Sequence, residues 1–373
     1  MHDYKIGAVI VAGGLSSRMN DFKPLLPIVN KSMIGTTINN FKSFGVDEIV
    51  VVTGYRSEDI QINLKEINVE FVKNENYHNT HMFDSVCLGL NKLKNKVDFI
   101  FISPADSPFV QQFTLNKMME EMINLNYNLF QPSYEGINGH PLLLRKSSVN
   151  KILFHDGTNG LQGAIANMGT DYKNLSFVDP GIKLDADNAS EYLKLLEYNE
   201  IKNCPTIEQC KKIQDYFSMT PAVKAHCKKV ASVALNICDN LNKNGISLNK
   251  NKVVAASLLH DIAKGKDKHA EVGALWLKDM GYYEISDIVK EHMELKEISK
   301  IPNEKEVVYL ADKLVKGEKL VSIKERFSFK EDIYKNDNNI SKNIDKRKEQ
   351  AKFLYYMFLE NVGIHELQAD YSL

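Results

Sequence analysis

Cysteine, tryptophan, net charge and long apolar runs are all scarce in this chain. It has 5 Cys and 1 Trp, and its formal net charge is −1, which offers no electrostatic attraction to nucleic acid or an anionic membrane surface. No apolar run approaches the ~20 residues of a membrane span, and Met1–Lys5 leads directly into a strand rather than a signal peptide. These absences predict a cytoplasmic protein that binds neither nucleic acid nor membrane.

The cysteines are odd in number and scattered, without a Cys-x-x-Cys pair. They are Cys87, Cys204, Cys210, Cys227 and Cys238. This usage is typical of reduced structural thiols, so we assign them no chemistry. The content of 43% hydrophobic and 25% charged residues is that of a soluble globular protein.

The length of the chain and the order of its strand-like and helical segments predict two domains of different fold class. At 373 residues the chain exceeds one ordinary core. As far as about Tyr198, strand-like runs alternate with helical patterns, which predicts βαβ units and an α/β domain with a mostly parallel sheet. The predicted strands are Ala8–Val11, Glu48–Thr53, Val69–Val72 and Asp98–Ser103, and the predicted helices are Thr36–Phe44, Asp84–Leu93 and Leu115–Leu125.

From Pro221 onward apolar residues recur at helical spacing without a convincing strand, which predicts an all-α second domain. Its predicted helices are Val223–Leu241, Asn251–Ile262, His269–Met280, Tyr283–His292 and Glu304–Leu314. We expect an α/β domain at 1–199, a polar linker with helical patches at 200–219, the helical domain at 220–325, and a charged connection with a C-terminal helix at 326–373. The lysine- and asparagine-rich segment 330–343 is predicted to be mobile.

The most specific motif is the glycine turn within Val9–Met19, followed by Lys23–Pro27. Its two adjacent glycines lack Cβ atoms, so their N–H groups can approach a phosphate closely, while Arg18 and Lys23 can neutralise a triphosphate. The turn lacks the Gly-Lys-Ser/Thr of a Walker A loop and the third glycine of the dinucleotide fingerprint. The pattern predicts a loop that activates a nucleotide.

The motif Ala-Gly-Gly-x-Ser-Ser-Arg-Met, followed by Lys-Pro-Leu-Leu, resembles the signature of nucleotidyltransferases with a glycosyltransferase-A-like Rossmann fold. The resemblance is strongest to the molybdenum cofactor guanylyl- and cytidylyltransferases. The paired serines and a Gly-His-Pro segment favour the cytidylyl enzymes. The resemblance implies Mg²⁺-dependent transfer of CMP from CTP to molybdopterin cofactor or another phosphorylated acceptor, and a molybdenum hydroxylase as a further partner. The implied nucleotide-binding residues are Ala12, Gly13, Gly14, Ser16, Ser17, Arg18, Lys23, Asp84, Ser85 and His140.

Asp106 is the first candidate metal ligand. It follows the apolar strand 98–103, and the carboxyl ends of strands border the ligand site in open α/β sheets. A carboxylate there suits Mg²⁺, a hard cation, although an aspartate before Pro108 is also a common turn residue. In the resembling family this aspartate, in a Pro-Ala/Gly-Asp-x-Pro setting, is a metal ligand.

A second acidic segment, Asp185–Asn188, precedes a helical pattern and contains ordinary N-cap residues. The resembling cytidylyltransferases end with Asp-x-Asp-Thr-Pro-Glu-Asp; here Asp185 and Asp187 match, whereas Asn188 and Ala189 replace Thr-Pro. The resemblance implies that Asp187 is a second metal contact.

Two further segments resemble the family to different degrees. Asn138–Leu142 contains the Gly-His-Pro sequence, in which His140 can donate to a phosphate or the acceptor, or simply be a structural histidine in a glycine turn. The family's Gly-Met-Ser-x-Ser-Leu loop appears only loosely, as His81–Val86, which includes Asp84 and Ser85.

These parts support in-line attack by an acceptor phosphate on the α-phosphorus of a nucleoside triphosphate. A phosphate nucleophile is already ionised at neutral pH, so positioning and charge neutralisation can supply most of the rate. Catalysis is therefore assigned to Mg²⁺, Arg18, Lys23 and Asp106.

The helical region has its own set of metal-ligand residue types: His226, the adjacent pair His260 and Asp261, His269, His292 and Asp312. Any one helical histidine is commonly a surface or core residue. The segment Leu258–Lys264 is more specific, because an adjacent His and Asp at a helix end can bind one metal or bridge two. Helices of a bundle can then supply the remaining ligands from their inward faces.

This set resembles the HD superfamily of metal-dependent phosphohydrolases over about 220–324. The match includes the first histidine, His226, the His-Asp pair, and the last aspartate, Asp312. The further His269 and His292 resemble members that bind two metal ions. The resemblance implies one or two Fe or Mn ions and a water made nucleophilic at neutral pH.

Lys264 lies one helical turn beyond His260 and can meet a substrate phosphate as a catalytic residue, or be a solvated lysine at a helix end. The leading hypothesis is a bifunctional nucleotidyltransferase and phosphohydrolase. One alternative is a nucleotidyltransferase for a sugar or polyol phosphate. Another is a regulatory protein in which one domain senses nucleotide, or an inactive HD module that senses a ligand.

Overall fold

The computed structural model describes residues 4–14 and 21–362, with side chains as far as residue 359. The chain divides into two compact units, Met1–Glu200 and Ile201–Leu373. The first combines a sheet with helices, and the described residues of the second form helices and one small hairpin.

The strands of the first unit are β1 (Ile6–Ala12), β2 (Pro27–Ile28), β3 (Lys31–Ser32), β4 (Glu48–Thr53), β5 (Glu70–Lys73), β6 (Phe99–Pro104), β7 (Leu129–Tyr134), β8 (Ile137–Asn138), β9 (Leu142–Arg145) and β10 (Tyr172–Phe177). The main sheet has the order β10-β7-β9-β6-β1-β4-β5, with β8 paired to β7. β1, β4, β5 and β6 run parallel, whereas β9 runs antiparallel to β6 and β7. The sheet is therefore mixed, and β2 and β3 form a separate hairpin.

The helices of the first unit are α1 (Met33–Phe44), α2 (Ser57–Asn63), α3 (Met82–Leu93), α4 (Gln112–Asn124), α5 (Val149–Leu153), α6 (Gly160–Ala166) and α7 (Ala189–Ile201). Short 3-10 helices span Lys23–Leu25, Lys146–Ser148, Gly169–Asp171 and Pro180–Ile182.

β1 is an interior strand of the sheet, between β6 and β4, and both α1 and α3 pack on it. Its side chains alternate between the two faces, and Ala8, Val9 and Ile10 are fully buried. β1 pairs with β4 on one side and β6 on the other, so the strand order reverses beside it. Ligands bind at such a reversal, beyond the carboxyl ends of the strands.

The contact between α3 and β1 depends on Gly89. A Cβ at this position would lie 2.4 Å from Cγ1 of Val9, which is fully buried. We expect Gly89→Ala to lower the free energy of unfolding by about 1–3 kcal/mol, because overpacking outweighs alanine's better helix propensity. Denaturant unfolding checks this, and the exposed Asn91→Ala on the same helix is the control. Equal stability of the Gly89 variant and the wild type would contradict the prediction.

The helices of the second unit are α8 (Ile207–Tyr216), α9 (Pro221–Lys243), α10 (Lys250–Leu259), α11 (His269–Asp279), α12 (Tyr283–Lys290), α13 (Glu304–Lys313), α14 (Ile323–Tyr334) and α15 (Asn338–Val362). β11 (Val315–Lys316) and β12 (Lys319–Leu320) form the hairpin. α9 packs against α10 and α13, and seven consecutive residues of α10, Val253–Leu259, are buried. α10 is therefore a core helix.

The elements confirm the predicted classes of both units. All four predicted strands and every predicted helix occur, with ends shifted by a few residues. The sequence-based reading missed β7, β9 and β10. β7 is buried at every position and contains Pro132, so it lacks both the alternation and the composition that indicate a strand.

Two connecting segments contain helices. The predicted linker contains α8, whose Cys210 and Ile213 are fully buried, and Gln214 donates to the Leu258 carbonyl oxygen at 2.7 Å. The segment 330–343, expected to be mobile, lies mostly in α14 and α15. Within the described part of the chain, the helices are all too short or too polar to cross a membrane.

Candidate active sites

A cavity of about 700 Å³ opens beyond the carboxyl ends of β1 and β6, a volume typical of small-molecule sites. Its wall combines the glycine turn, the segment after β5, the turn after β6 and the acidic segment before α7. The lining residues are Val11, Ala12, Gly13, Gly14, Lys23, Pro24, Asn74, Tyr77, His78, Thr80, His81, Met82, Ser85, Pro104, Ala105, Asp106, His140, Asp185 and Asp187.

Three carboxylates meet in this cavity: Asp106, Asp185 and Asp187. One oxygen of each lies within 4.8 Å of the others. Lys23 pairs with Asp106 and, at 2.7 Å from Nζ to Oδ1, with Asp187. Burial by itself lowers the pKa of Lys23, but the charges and hydrogen bonds of Asp106 and Asp187 raise it above its ordinary value. Lys23 is therefore positively charged at neutral pH, and its side chain is positioned by two ion pairs.

Asp185 shows how strongly the three carboxylates repel one another. Burial, together with the charges of Asp106 and Asp187, raises its pKa to about 6. A bound cation would relieve this repulsion, and clustered carboxylate oxygens are the donors that Mg²⁺ prefers. The donor set therefore fits Mg²⁺. The sequence-based site included Asp106 and Asp187 but not Asp185, although the Asp-x-Asp spacing was the signal for it.

Only some of the other predicted nucleotide-binding residues line the cavity. Ala12, Gly13, Gly14, Ser85 and His140 line the cavity, whereas Ser16, Ser17 and Arg18 lie outside the described residues. Asp84 is not among the lining residues. Its Oδ2 accepts from the His81 N–H at 2.8 Å and completes the capping box of α3, which is a structural role.

Asn74 is a cavity residue that the sequence reasoning missed. It directly follows β5 and is buried, and its amide donates to Thr80 Oγ1 at 2.9 Å and to Ser85 Oγ at 3.2 Å. These bonds join the end of β5 to the first turn of α3. The signal for Asn74 was a polar residue immediately after a strand at the carboxyl edge of the sheet.

His140 is held by its backbone N–H, which donates to the Ile182 carbonyl oxygen at 3.0 Å. Its buried Nδ1 has no hydrogen-bond partner within the described residues. Burial lowers the pKa of His140, against the opposing charge of Asp106. The imidazole is therefore neutral at neutral pH, with one nitrogen as an acceptor and the other as a donor.

In the second unit, all six predicted metal-ligand residues converge. They are His226 on α9, His260 and Asp261 directly after α10, His269 at the start of α11, His292 after α12, and Asp312 on α13. We call them the His-Asp cluster. His226 Nε2 lies 3.2 Å from Asp312 Oδ1, and His269 and His292 Nε2 lie 3.2 and 3.6 Å from Asp261 Oδ1. Five helices thus deliver ligand atoms to one place.

The histidine rings of the cluster are oriented by backbone carbonyls. The Nδ1 atoms of His226, His260 and His292 lie 2.9, 2.8 and 2.7 Å from the carbonyl oxygens of Gly317, Ser257 and Val289. In His260 and His292, donation from Nδ1 leaves the lone pair on Nε2, which is the arrangement of metal-bound histidines. His226 Nε2 instead lies within hydrogen-bond distance of Asp312 Oδ1. The buried Nε2 atoms of His260, His269 and His292 have no hydrogen-bond partner among the described side and main chains. These orphaned acceptors fit a metal.

Two triads share Asp261: His226-His260-Asp261 and Asp261-His269-His292. Burial lowers the pKa of His260 to about 4, so the ring is neutral and free to ligate. Burial opposes ionisation of Asp261, but the surrounding histidines and Lys264 hold its pKa below its usual range. Mixed imidazole and carboxylate donors suit Fe or Mn as well as Zn, and the geometry offers two positions.

Two lysines contact the cluster aspartates. Lys264 Nζ lies 2.9 Å from Asp261 Oδ2. Lys313, which sequence reasoning missed, is buried and donates to Asp312 Oδ2 at 2.6 Å and to the His292 carbonyl oxygen at 2.8 Å. The signal for Lys313 was a charged pair inside the otherwise apolar run 307–315.

Two protein-family models match the chain, one in each unit. Residues 8–172 match the model of the MobA-like NTP transferase domain, and residues 223–317 match the HD domain. The chain carries a nucleotidyltransferase domain and an HD domain. Domains of these two families generally bind divalent metal ions, consistent with one acidic and two His-Asp ligand groups.

The nucleotidyltransferase domain resembles several individual proteins. It is 26% identical over 198 residues to the molybdenum cofactor cytidylyltransferase of Escherichia coli K12. This match covers 52% of this chain and 98% of that protein. It is 30% identical over 115 residues to the bifunctional protein GlmU of Staphylococcus haemolyticus, covering 30% of this chain and 25% of that protein. The crystal structure of Rv0371c from Mycobacterium tuberculosis has a TM-score of 0.46 at 21% identity, covering 53% of this chain and 100% of that chain.

Proposed function

We propose that the nucleotidyltransferase domain transfers CMP from CTP to molybdopterin cofactor with Mg²⁺ and releases pyrophosphate. The observation that carries this proposal is the meeting of Lys23 with three carboxylates beside the glycine turn of β1. This arrangement combines the cation that a triphosphate needs with a ligand set for the metal that accompanies it.

The glycine turn, Lys23 and the three carboxylates each have a proposed role in this reaction. The N–H groups at Gly13 and Gly14 bind phosphate oxygens, and Lys23 neutralises the leaving pyrophosphate. Asp106, Asp185 and Asp187 would hold Mg²⁺, which when bound withdraws charge from the phosphates. An acceptor phosphate oxygen bonds to the α-phosphorus as the bond to the α,β-bridging oxygen breaks. Pyrophosphate leaves with that electron pair.

The choice of CTP and molybdopterin cofactor is supported by the cytidylyltransferase relative, whose length the match covers almost completely. The Asp-x-Asp and Gly-His-Pro segments agree with it. A sugar or polyol phosphate is the alternative acceptor, favoured by one observation: Asp84, in the loosely matching loop 81–86, caps α3 and does not line the cavity. The expected molybdenum hydroxylase partner stays a prediction.

The test is pyrophosphate release by the full chain with Mg²⁺ and each nucleoside triphosphate, with and without molybdopterin cofactor. Release that requires both CTP and the cofactor supports the proposal. Release only with a sugar or polyol phosphate supports the alternative acceptor. Nucleotide binding without release under any condition favours a sensing role.

Lys23→Ala is expected to weaken binding of Mg·CTP by roughly tenfold to a hundredfold, because a hydrogen bond to a charged group contributes about 1.5–3 kcal/mol. Isothermal titration calorimetry of the full chain measures the dissociation constant. Lys31→Ala, at an exposed lysine of β3, is the matched control. An affinity equal to wild type would remove Lys23 from the triphosphate site.

For the HD domain we propose metal-dependent phosphohydrolysis, carried by the orphaned Nε2 atoms of the His-Asp cluster. The triads that share Asp261 would hold two Fe or Mn ions, which when bound supply a nucleophilic water at neutral pH. Lys264 and Lys313 add positive charge for a substrate phosphate. Hydrolysis of p-nitrophenyl phosphate by protein loaded with Mn²⁺ tests this, and a metal-loaded but inactive protein would contradict it.

A further inference from the structure

Asp179 is a buried carboxylate of the first unit that lies between β10 and the acidic segment before α7. It is not among the residues that line the nucleotide cavity. Its Oδ2 accepts from the Gln111 N–H at 2.8 Å and from the Thr114 hydroxyl at 2.7 Å. Its Oδ1 accepts from the Gly181 N–H at 2.8 Å. The carboxylate therefore joins two segments that are distant in the chain.

Both donors to Oδ2 belong to the start of α4. Gln111 is the N-cap residue of this helix, and Thr114 is a buried residue of its first turn. The first N–H groups of a helix lack acceptors within the helix, and the helix dipole favours a negative charge beside them. Asp179 thus supplies, from a remote part of the chain, an acceptor and a charge at the start of α4.

The hydrogen bonds of Asp179 match an ionised carboxylate. Burial raises the pKa of Asp179 to about 6, and the bonds donated by Gln111, Thr114 and Gly181 oppose this shift. The group is therefore mainly ionised at neutral pH, where both of its oxygens are acceptors. All three neighbours are donors, so the buried charge is satisfied.

The short 3-10 helix before Asp185 packs closely on the turn that carries Asp106. A Cβ on Gly181 would lie 2.0 Å from the Phe109 carbonyl oxygen, so only glycine permits this approach of the two main chains. Phe109 follows Asp106 by three residues, and Ile182 precedes Asp185 by three residues. The contact that Asp179 fixes is therefore close in sequence to carboxylates of both segments.

The turn after β6 is also held by α1. Thr37 Oγ1 donates to the Ala105 carbonyl oxygen at 2.9 Å. Asn40 Nδ2 donates to the Val110 carbonyl oxygen at 2.6 Å. This turn is thus anchored to the helix that packs on β1, and Asp179 ties the acidic segment to the anchored turn.

We propose that Asp179 is a positioning residue for the Mg²⁺ site, whose hydrogen bonds set the distance between Asp106 and the Asp-x-Asp segment. This rests on the nucleotidyltransferase function proposed above. Clustered carboxylates repel one another before a cation binds, and Asp179 opposes separation of the segments that carry them. Ligands that are held in place before the ion arrives bind it more tightly.

Asp179→Asn tests this role. The Gln111 and Gly181 N–H groups meet different oxygens of the carboxylate, and asparagine has only one oxygen, so at least one N–H loses its acceptor. Isothermal titration calorimetry of the full chain measures CTP affinity with and without Mg²⁺. The tightening by Mg²⁺ should fall by about fivefold or more, as for other residues that orient metal ligands, whereas affinity without Mg²⁺ changes by less than about threefold.

Two further variants separate positioning from stability. Ile152→Ala, at a fully buried residue of α5 outside the cavity, should lower the melting temperature and leave the effect of Mg²⁺ unchanged. Thr114→Val removes one of the three hydrogen bonds and should reduce the effect of Mg²⁺ by less than Asp179→Asn does. If Asp179→Asn does not fold, Thr114→Val decides, and an effect of Mg²⁺ equal to wild type overturns the proposal.

An undiminished effect of Mg²⁺ in folded Asp179→Asn would overturn the proposal. An equal loss in Ile152→Ala would overturn it as well, because stability alone would then explain the loss. A wild-type affinity for CTP that does not respond to Mg²⁺ has the same consequence.

If the wild type does not bind CTP, the proposed transferase function fails separately. Mn²⁺ binding then tests Asp179, measured by electron paramagnetic resonance in a His260→Ala, Asp261→Ala background that disables the His-Asp cluster. Weaker binding after Asp179→Asn supports the positioning role. Equal binding, or no Mn²⁺ bound in this background, overturns it.

Discussion

Replacing Asp106 with asparagine is expected to abolish nucleotidyl transfer, with kcat/KM lowered by roughly 10²–10³ or more, the loss typical of removing one charge-stabilising group. Asparagine keeps the size of the side chain but removes its charge. Asp106 is buried directly beyond β6, shares its ligand group with Asp185 and Asp187, and pairs with Lys23. Its neutralisation therefore weakens the metal site and releases Lys23 from its position. Pyrophosphate release with CTP and the acceptor measures the effect.

The same molecule provides an internal control for this variant. Hydrolysis by the HD domain should stay at the wild-type rate, because no residue of the His-Asp cluster belongs to the first unit. Asp171→Asn, at a carboxylate paired with Lys151 on the surface, is the matched substitution outside the cavity. If the Asp106 variant transfers nucleotide normally, Asp106 has no part in the mechanism.

The second large effect is expected when His260 and Asp261 are both changed to alanine. Asp261 belongs to both ligand triads and His260 to one of them, so the variant should lose its bound transition metal and its hydrolytic activity. Nucleotidyl transfer should continue unchanged. Metal analysis by mass spectrometry after dialysis gives a readout that does not depend on activity.

Both side chains are buried, so folding has to be checked beside metal content. Asp287→Ala, at an exposed aspartate of α12, should retain both metal and activity. His269→Gln, at a ring that is less buried than His260, removes one ligand nitrogen with less disturbance of packing and should lower the metal stoichiometry. Full metal content in the double variant would show that the ligand assignment is wrong.

Several features were accessible from sequence because they depend on short segments. The apolar run 6–12 followed by two glycines predicts a buried strand and a phosphate turn, and the α/β class of the first unit follows from repeating that pattern. The helical period from Pro221 onward predicts the second class equally well. The adjacent His260 and Asp261 predict a metal position because their spacing alone puts both donors at one helix end.

Other features depend on contacts between distant segments. Nothing in the local sequence states that β9 enters the sheet antiparallel between β6 and β7. Likewise, Asp84 has the residue type of a ligand, but its position at N3 of α3 turns it toward the His81 N–H. The helices at 330–343 were missed because a polar, lysine-rich composition resembles a loop until it packs.

The sequence by itself determined the class of each unit, the glycine turn and the donor types of the two candidate metal sites, since these are properties of neighbouring residues and of periodicity. Only the tertiary structure decided that Asp185 joins Asp106 and Asp187, that backbone carbonyls orient the cluster histidines, and that Lys313 contacts Asp312 and the His292 carbonyl oxygen. The reason is physical: charge repulsion, lone-pair direction and desolvation act through space, so they depend on distances that residue order does not contain.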